Sequence, residues 1–455
     1  MMCEDKKAWK LYKREWYNMT VITLPILVGK SILCFSRITR RGNGSTWPGH
    51  VALSIDPYFI SHILNQSHID VIFIVGTNGK TTTARMLTSI IKESKQHVFH
   101  NVSGANLENG IASTLIRHAS TTGKLQKGYA VFEVDENNLP ILLEKITPKA
   151  IIVLNLFRDQ LDRYGELDSI AAKWKASFKK LTKQTTLVLN ADDPLIAYLG
   201  VDIPTNVTYF GLEKEDEKRK KMQHAADSIY CPRCNEKLKY SNIYFSHLGI
   251  WKCLKCNLVR PKTDISNIFY PLPGTYNKYN TLAAALTALT LKIPRQTIIH
   301  ALKTITPAFG RQEKITYRGK PIQLFLSKNP TSFNESLATI VSLKAKTILF
   351  VLNDRIPDGR DISWIWDVDF EEYVTQFQHL IISGNRTYDL GLRLQYTAET
   401  QKSKLKSQNS MLEENLEEAI QKSLKVLPKG ETLFILPTYS AMLEVRKILT
   451  GRKIL

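Results

Sequence analysis

The run Val71-Ile72-Phe73-Ile74-Val75 passes directly into Gly76-Thr77-Asn78-Gly79-Lys80-Thr81-Thr82, and a helical pattern with Ala84, Leu87, Ile90 and Ile91 on one face follows. An unbroken β-branched and aromatic run reads as a central parallel strand buried on both faces. A glycine-bearing turn between such a strand and a helix aims successive backbone N–H groups and the positive helix end at one place, which makes a cradle for phosphate oxygens. Gly76 and Gly79 allow the close backbone approach. Lys80 supplies positive charge for the β- and γ-phosphates, and the Thr81 hydroxyl is suited to ligate Mg²⁺. The longer general pattern asks for glycine at position 74, where this chain has isoleucine. A chance glycine-rich turn is the alternative, and the strand before and helix after weigh against it. The loop predicts a nucleotide phosphate site formed by Gly76, Thr77, Asn78, Gly79, Lys80, Thr81 and Thr82.

Further apolar runs follow at 130–132, 151–154 and 186–189, and a second set at 348–352, 380–382 and 433–436, separated by helical patterns. This alternation predicts an α/β fold: a central P-loop parallel-sheet domain followed by a second α/β domain. A chain of 455 residues also exceeds what one core organises. The expected division is an N-terminal helical segment over 1–48, a central ATP-binding domain over 49–313 and a C-terminal α/β domain over 314–455. Two polar stretches break the pattern. Residues 213–221 read as the edge of an insertion and 397–410 as a surface loop.

Cys231-Pro232-Arg233-Cys234 and Cys253-Leu254-Lys255-Cys256 form two C-x₂-C pairs with 18 residues between them. Each pair turns two thiolates towards one point, and two pairs complete a tetrahedron around Zn²⁺. With four protein sulfurs no position stays open, so the expected role is structural, in a ribbon inserted at about 226–262. A redox or disulfide arrangement is the less favoured alternative for a cytoplasmic chain. Cys3 and Cys34 read as ordinary residues.

Lys plus Arg total 62 against 42 for Asp plus Glu, a net charge of +20. The balance suits an anionic partner and selects none. The ribbon interrupts a larger domain, where a structural staple is the simpler account, so no nucleic acid is expected. The apolar stretch 21–35 is broken by Pro25 and Lys30 and falls short of the roughly 20 residues a bilayer-spanning helix needs. No secretory signal is read. The expected location is cytoplasmic, with the N-terminal helix packing on the protein itself or meeting the inner face of the cell membrane.

Gly-Thr-Asn-Gly-Lys-Thr-Thr is the form of the phosphate loop in the Mur ligases and folylpolyglutamate synthases, and the chain resembles that family at further points in the same order. Glu133 in Val131-Phe132-Glu133-Val134-Asp135 matches the family's Mg²⁺-ligating glutamate. Asn155 to Asp162 resembles its N-x-x-x-D-H-L-D segment, with Gln160 in place of histidine. Asn190-Ala191-Asp192-Asp193-Pro194 is similar to a strand-end turn of the family. Gly274-Thr275-Tyr276-Asn277-Lys278-Tyr279-Asn280 resembles G-x-H-N-x-x-N, which implies that Asn277 and Asn280 face the adenine side of ATP. Gly310-Arg311-Gln312-Glu313 resembles the family hinge and places Arg311 at the nucleotide. Lys173 is the nearest counterpart of the lysine that many Mur ligases carry carbamylated, displaced by one residue, and reads equally as an ordinary helix-face lysine.

Two features narrow the resemblance. Asp358-Gly359-Arg360-Asp361-Ile362-Ser363-Trp364-Ile365-Trp366-Asp367 is similar to the D-G-x-D-x-S-W-I-x-D motif of the MurT family, the Mur-ligase-like subunits of lipid II isoglutaminyl synthases, and the ribbon insertion resembles that family too. Residues alone leave open an Asp-Gly turn followed by a tryptophan-anchored helix. The resemblance implies ATP-dependent, Mg²⁺-assisted amidation of the D-glutamate α-carboxylate of the lipid II stem peptide through an acyl phosphate, in peptidoglycan synthesis. It also implies ammonia from a GatD-like glutaminase partner, with Asp361 completing that partner's Cys-His pair and Asp354 and Asp358 as weaker candidates. Two other readings stand beside it: a Mur or folylpolyglutamate-type ligase that joins an amino acid, and a zinc-stabilised protein that uses nucleotide as a switch.

Overall fold

Alternation along a single strand explains the architecture. In β1 (Ile69–Val75) the side chains of Val71, Phe73 and Val75 point to one face and those of Ile72 and Ile74 to the other, all five buried. A strand dry on both sides must lie inside a sheet covered by helices on both faces. The structure, a computed structural model, describes residues 22–36, 38–39, 44–101, 104–159, 167–213, 221–307, 310–400 and 410–451. Residues 160–162 of the Asn155 to Asp162 segment, Gln160 among them, and Cys3 lie outside the described residues.

The first sheet has the order β2-β3-β1-β4-β5-β6, all parallel, with β2 Val98–His100, β3 Gly128–Glu133, β4 Ala150–Val153, β5 Thr186–Asn190 and β6 Asn206–Phe210. Helices Trp47–Ile55, Glu108–His118 and Leu167–Phe178 bury apolar residues against one face, and Lys80–Glu93, Thr275–Thr290 and Arg295–Lys303 against the other. β1 sits between β3 and β4, where the chain direction across the sheet reverses, the place where open α/β sheets bind ligands. The loop after β1 is the phosphate loop.

The N-terminal helix over 22–36 turns Ile22, Ile26 and Leu33 into this first core, which meets the packing alternative. No described helix is long and apolar enough to cross a membrane.

The second sheet has the order β13-β12-β11-β14-β10-β9, with β9 Arg311–Tyr317, β10 Lys320–Phe325, β11 Thr347–Val351, β12 His379–Ser383, β13 Ser410–Leu412 and β14 Leu433–Pro437. It is parallel except for β9 against β10. Ile348 and Phe350 pack on one face, Leu349 and Val351 on the other. Residues 311–313, which the sequence assigns to the end of the central domain, lie in β9 of this second sheet. The loop expected over 397–410 differs as well. Residues 397–400 continue helix Thr387–Thr400 and Ser410 opens β13. Thr397 stays helical because its hydroxyl is buried, accepting from Arg393 Nη1 at 2.6 Å and donating to the Arg393 carbonyl at 3.1 Å.

Between the two sheets in sequence stands a small hairpin, β7 (Lys239–Phe245) and β8 (Leu248–Lys252). It is tied to the first sheet. Trp251 Nε1 donates to the Ala191 carbonyl at 3.1 Å, and Arg260 Nε to Asp192 Oδ1 at 2.6 Å.

Candidate active site

The phosphate loop is bolted to the segment after β4. Thr77 N donates to the Asn155 carbonyl at 3.1 Å, Asn78 N donates to Asn155 Oδ1 at 2.9 Å, and Phe157 N donates to Thr77 Oγ1 at 2.9 Å. Glycine is required at Gly79: its φ is +93°, and a Cβ there would stand 2.1 Å from Asn280 Oδ1. That approach brings the helix Thr275–Thr290 onto the loop. Asn277 and Asn280 are both buried, 3.3 Å apart from Nδ2 of Asn280 to Oδ1 of Asn277. With Asn78, Gly79, Thr82 and Arg311 they line one cavity. Six of the ten sequence-derived nucleotide residues thus line a single cleft, while Gly76, Thr77, Lys80 and Thr81 belong to the same loop and helix start without lining it.

Lys80 Nζ lies 2.5 Å from the Gly76 carbonyl and 2.8 Å from Glu136 Oε1, both side chains nearly buried. Glu136 had no signal in sequence, because nothing in spacing predicts which carboxylate parks a phosphate-binding lysine. Thr81 Oγ1 donates to Glu133 Oε2 at 2.9 Å. Burial pushes the Glu133 carboxyl above the usual carboxylate range, against the Thr81 hydrogen bond and the charges of Arg311, Lys80 and His100. Its Oε1 is buried and has no hydrogen-bond partner among the described residues. An orphaned carboxylate oxygen beside a hydroxyl fits a hard cation that takes oxygen ligands, such as Mg²⁺. Lys173, in contrast, is exposed on its helix.

The second sheet closes over the cleft. Asn329 Nδ2 donates to Asn78 Oδ1 at 3.3 Å, and Lys328 Nζ forms an ion pair with Asp159. Nothing local in the sequence signals either contact, since each joins residues more than 150 positions apart.

The four cysteine Sγ atoms all lie within 4.8 Å of one another, with Cys231–Cys256 and Cys234–Cys253 each at 3.5 Å. A tetrahedral Zn²⁺ with Zn–S bonds of about 2.3 Å asks for sulfurs roughly 3.8 Å apart. The donor set fits. The two knuckles are built alike, each followed by an asparagine in the left-handed region, Asn235 at φ +56° and Asn257 at φ +58°.

The three aspartates of the loop after β11 separate by environment. Asp354 accepts from Arg386 Nε at 2.8 Å, and Asp358 is buried and accepts from Ser440 N at 2.8 Å. Asp361 is exposed and accepts from Ser363 N at 2.8 Å, at the start of the short 3₁₀ turn Ser363–Asp367. Trp364 packs on Phe333 with ring centroids 5.8 Å apart, while Trp366 meets Tyr396 at 5.7 Å on the surface.

Strand order, phosphate loop and closing second sheet define a Mur-ligase-type nucleotide-binding chain. The Mur ligase middle domain matches residues 74–288 and the MurT ligase C-terminal domain residues 326–442. The chain is 32% identical to the lipid II isoglutaminyl synthase (glutamine-hydrolyzing) subunit MurT of Streptococcus pneumoniae, over 95% of this chain and 98% of that protein. It is also 32% identical to MurT of Staphylococcus aureus strain COL, over 84% of this chain and 87% of that protein. A pseudomurein peptide ligase type C from Methanothermus fervidus superposes with a TM-score of 0.64 at 26% identity, covering 86% of this chain and 81% of that one. MurF of Thermotoga maritima in complex with ADP gives a TM-score of 0.58 at 18% identity, covering 87% and 82%, which shows the shared fold. The chain belongs to the MurT family.

Proposed function

We propose that this chain is the ATP-using subunit of a lipid II isoglutaminyl synthase. The α-carboxylate of the stem-peptide D-glutamate attacks the γ-phosphorus of ATP, and ADP leaves. Ammonia then attacks the acyl carbon and phosphate leaves, giving D-isoglutamine. Phosphate turns a poor electrophile into a good one, and charge developing at the γ-phosphate needs cationic neutralisation. Lys80 supplies that from the loop, released from Glu136, and the backbone N–H groups of residues 76–82 hold the phosphates. Thr81 and Glu133 would hold Mg²⁺, whose chemistry is further neutralisation of the same oxygens. Asn277, Asn280 and Arg311 would bind the nucleoside end, and Cys231, Cys234, Cys253 and Cys256 would hold a structural Zn²⁺.

Ammonia comes from a glutaminase partner of GatD type in this reading. The observation that carries it is Asp361: an exposed carboxylate fixed by Ser363 N in the chain that also bears the phosphate loop. Such a group would orient a partner's histidine. Trp366, in the turn that follows Asp361, is exposed, as are Leu392 and Tyr396 on the helix whose Tyr396 it meets, and such a patch suits a protein interface. The lipid-linked substrate places the work at the inner membrane face, for which the exposed Leu24, Leu27, Phe35, Ile38 and Trp47 of the N-terminal region are suited.

The test is amidation of a lipid II-type peptide with ATP, Mg²⁺ and glutamine, with and without the glutaminase, read by mass spectrometry. Amide product that requires both subunits and ATP supports the reading. Absence of amidation even with free ammonia, together with ligation of an added amino acid, would replace it with the amino-acid-joining ligase.

A further inference from the structure

Gln312 is an anomaly in β9. It is not glycine, yet its φ is +59°, a left-handed conformation that is strained for a residue with a Cβ. Its side chain is buried and lines the nucleotide cleft. Nε2 donates to the Pro273 carbonyl at 3.0 Å and meets Tyr276 Oη at 2.5 Å. Of the two ends of an amide only the NH2 donates, so the contact with the Pro273 carbonyl fixes which end of the Gln312 amide is nitrogen. The other end, Oε1, is therefore an acceptor, and it is buried without a hydrogen-bond partner among the described residues.

The location says what donor it waits for. Tyr276, which Gln312 touches, lies one helical turn before Asn280, and Asn280 meets the phosphate loop at Gly79. One turn advances about 5.4 Å, and the Gln312 side chain extends the span beyond that. A nucleotide with its phosphates at Gly79 and its sugar laid along this turn would bring its base to the far end, beside Gln312. Adenine presents an exocyclic amino group there, two N–H donors; a 6-oxopurine presents a carbonyl oxygen.

We propose that Gln312 Oε1 accepts a hydrogen bond from the adenine amino group and is the residue that selects ATP over 6-oxopurine nucleotides. The proposal rests on the assignment of this cleft to ATP. The left-handed backbone coincides with an irregularity in the β9–β10 register, where Leu324 pairs with Glu313 and Phe325 with Arg311 and Gln312 is passed over. Selection follows from chemistry: an oxopurine would set its carbonyl against Oε1, leaving two acceptors facing each other in a dry site.

The experiment measures kcat/KM of the assembled enzyme for ATP, inosine triphosphate and purine riboside triphosphate, which lacks the amino group. Wild type is expected to favour ATP over both analogues by roughly ten- to hundredfold, about the cost of one buried unpaired polar group. In Gln312→Met the ATP preference should collapse to within about threefold. Gln312→Gly removes the side chain while relieving the left-handed strain, so it keeps a folded chain and should lose the preference in the same way. Preference retained in both variants, or a wild type indifferent to the three nucleotides, overturns the proposal. If no nucleotide supports turnover but ATP still protects wild type thermally better than inosine triphosphate, the reaction assignment has failed and the Gln312 assignment has not.

Discussion

Thr81 Oγ1 donates to Glu133 Oε2 at 2.9 Å, and the other carboxylate oxygen is left buried with no partner among the described residues. A buried, half-satisfied carboxylate is destabilising unless a ligand completes it. Glu133→Gln is therefore expected to raise metal-free stability by about 0.5–2 kcal/mol, as removing strained active-site groups commonly does. The same change should lower ATP-dependent turnover by about 10²–10³-fold. Thermal melting with and without Mg²⁺ and ATP checks both: the ligand-dependent rise in Tm should be present in the wild type and largely absent in the variant.

Lys80 and Glu136 form the second pair. Lys80→Ala is expected to reduce turnover by on the order of 10³-fold, the scale of a lost charge at transferring phosphate. It also strands Glu136 in a nearly buried site, a loss of roughly 1–3 kcal/mol. Adding Glu136→Gln to it should recover most of that stability and none of the activity. Recovery of activity in the double variant would mean that Lys80 serves only to neutralise Glu136.

The phosphate loop and central strands were legible because their signals are local: a strand buried on both faces must be apolar throughout, and a phosphate cradle needs glycine and lysine at fixed offsets. The cysteine pairs were legible for the same reason. The short edge strands β2 and β13, three residues each, carried no readable alternation. Glu136, Lys328 and Gln312 act through partners 56, 169 and 36–39 residues away in sequence, and such pairings exist only once the chain has folded. The resemblance ranked Asp361 above Asp358, but their difference in burial could not be read from the sequence, because both lie in one polar loop.

His118 gives a pH signature. Its ring stacks on Phe99 at 4.2 Å, and burial, then the charges of Arg117, His97, His100 and Lys30, lower its pKa from 6.5 to about 4. The unfolded chain therefore binds this proton more readily than the folded one. The stability His118 contributes is complete above pH 6.5 and is lost progressively as pH falls towards 4. Since the outer edge of the ring is exposed, water screens part of the effect. Melting curves between pH 7.5 and 4 should slope less for His118→Gln than for the wild type; parallel curves would assign the acid sensitivity elsewhere.

The cysteine cluster predicts one zinc per chain. Cys253→Ser should reduce bound zinc, measured by a metal-release assay, to a small fraction of the wild-type stoichiometry. Trp251 and Arg260 tie the ribbon to Ala191 and Asp192. Its loss is therefore expected to lower the Tm of the whole central sheet by several degrees, since a metal-bound module contributes folding energy directly. A zinc-free variant with unchanged Tm would show a ribbon folded independently of the sheet.

Asp358 and Asp361 stand three residues apart and are expected to fail in opposite ways. Asp358 is buried and accepts from Ser440 N at the start of helix Tyr439–Thr450. Asp358→Ala should cost about 1–2 kcal/mol, the scale of a lost helix cap, and impair glutamine-driven and ammonia-driven turnover together. Asp361 is exposed, so Asp361→Asn should leave Tm within about 1 °C, as most surface changes do. An amide cannot supply the negative charge that stabilises a protonated partner histidine. Glutamine-driven amidation should therefore fall by at least about 10²-fold while ammonia-driven amidation stays near the wild-type rate. Equal loss of both rates would place Asp361 in the carboxylate-activating half of the reaction and leave the partner's histidine without a carboxylate from this chain.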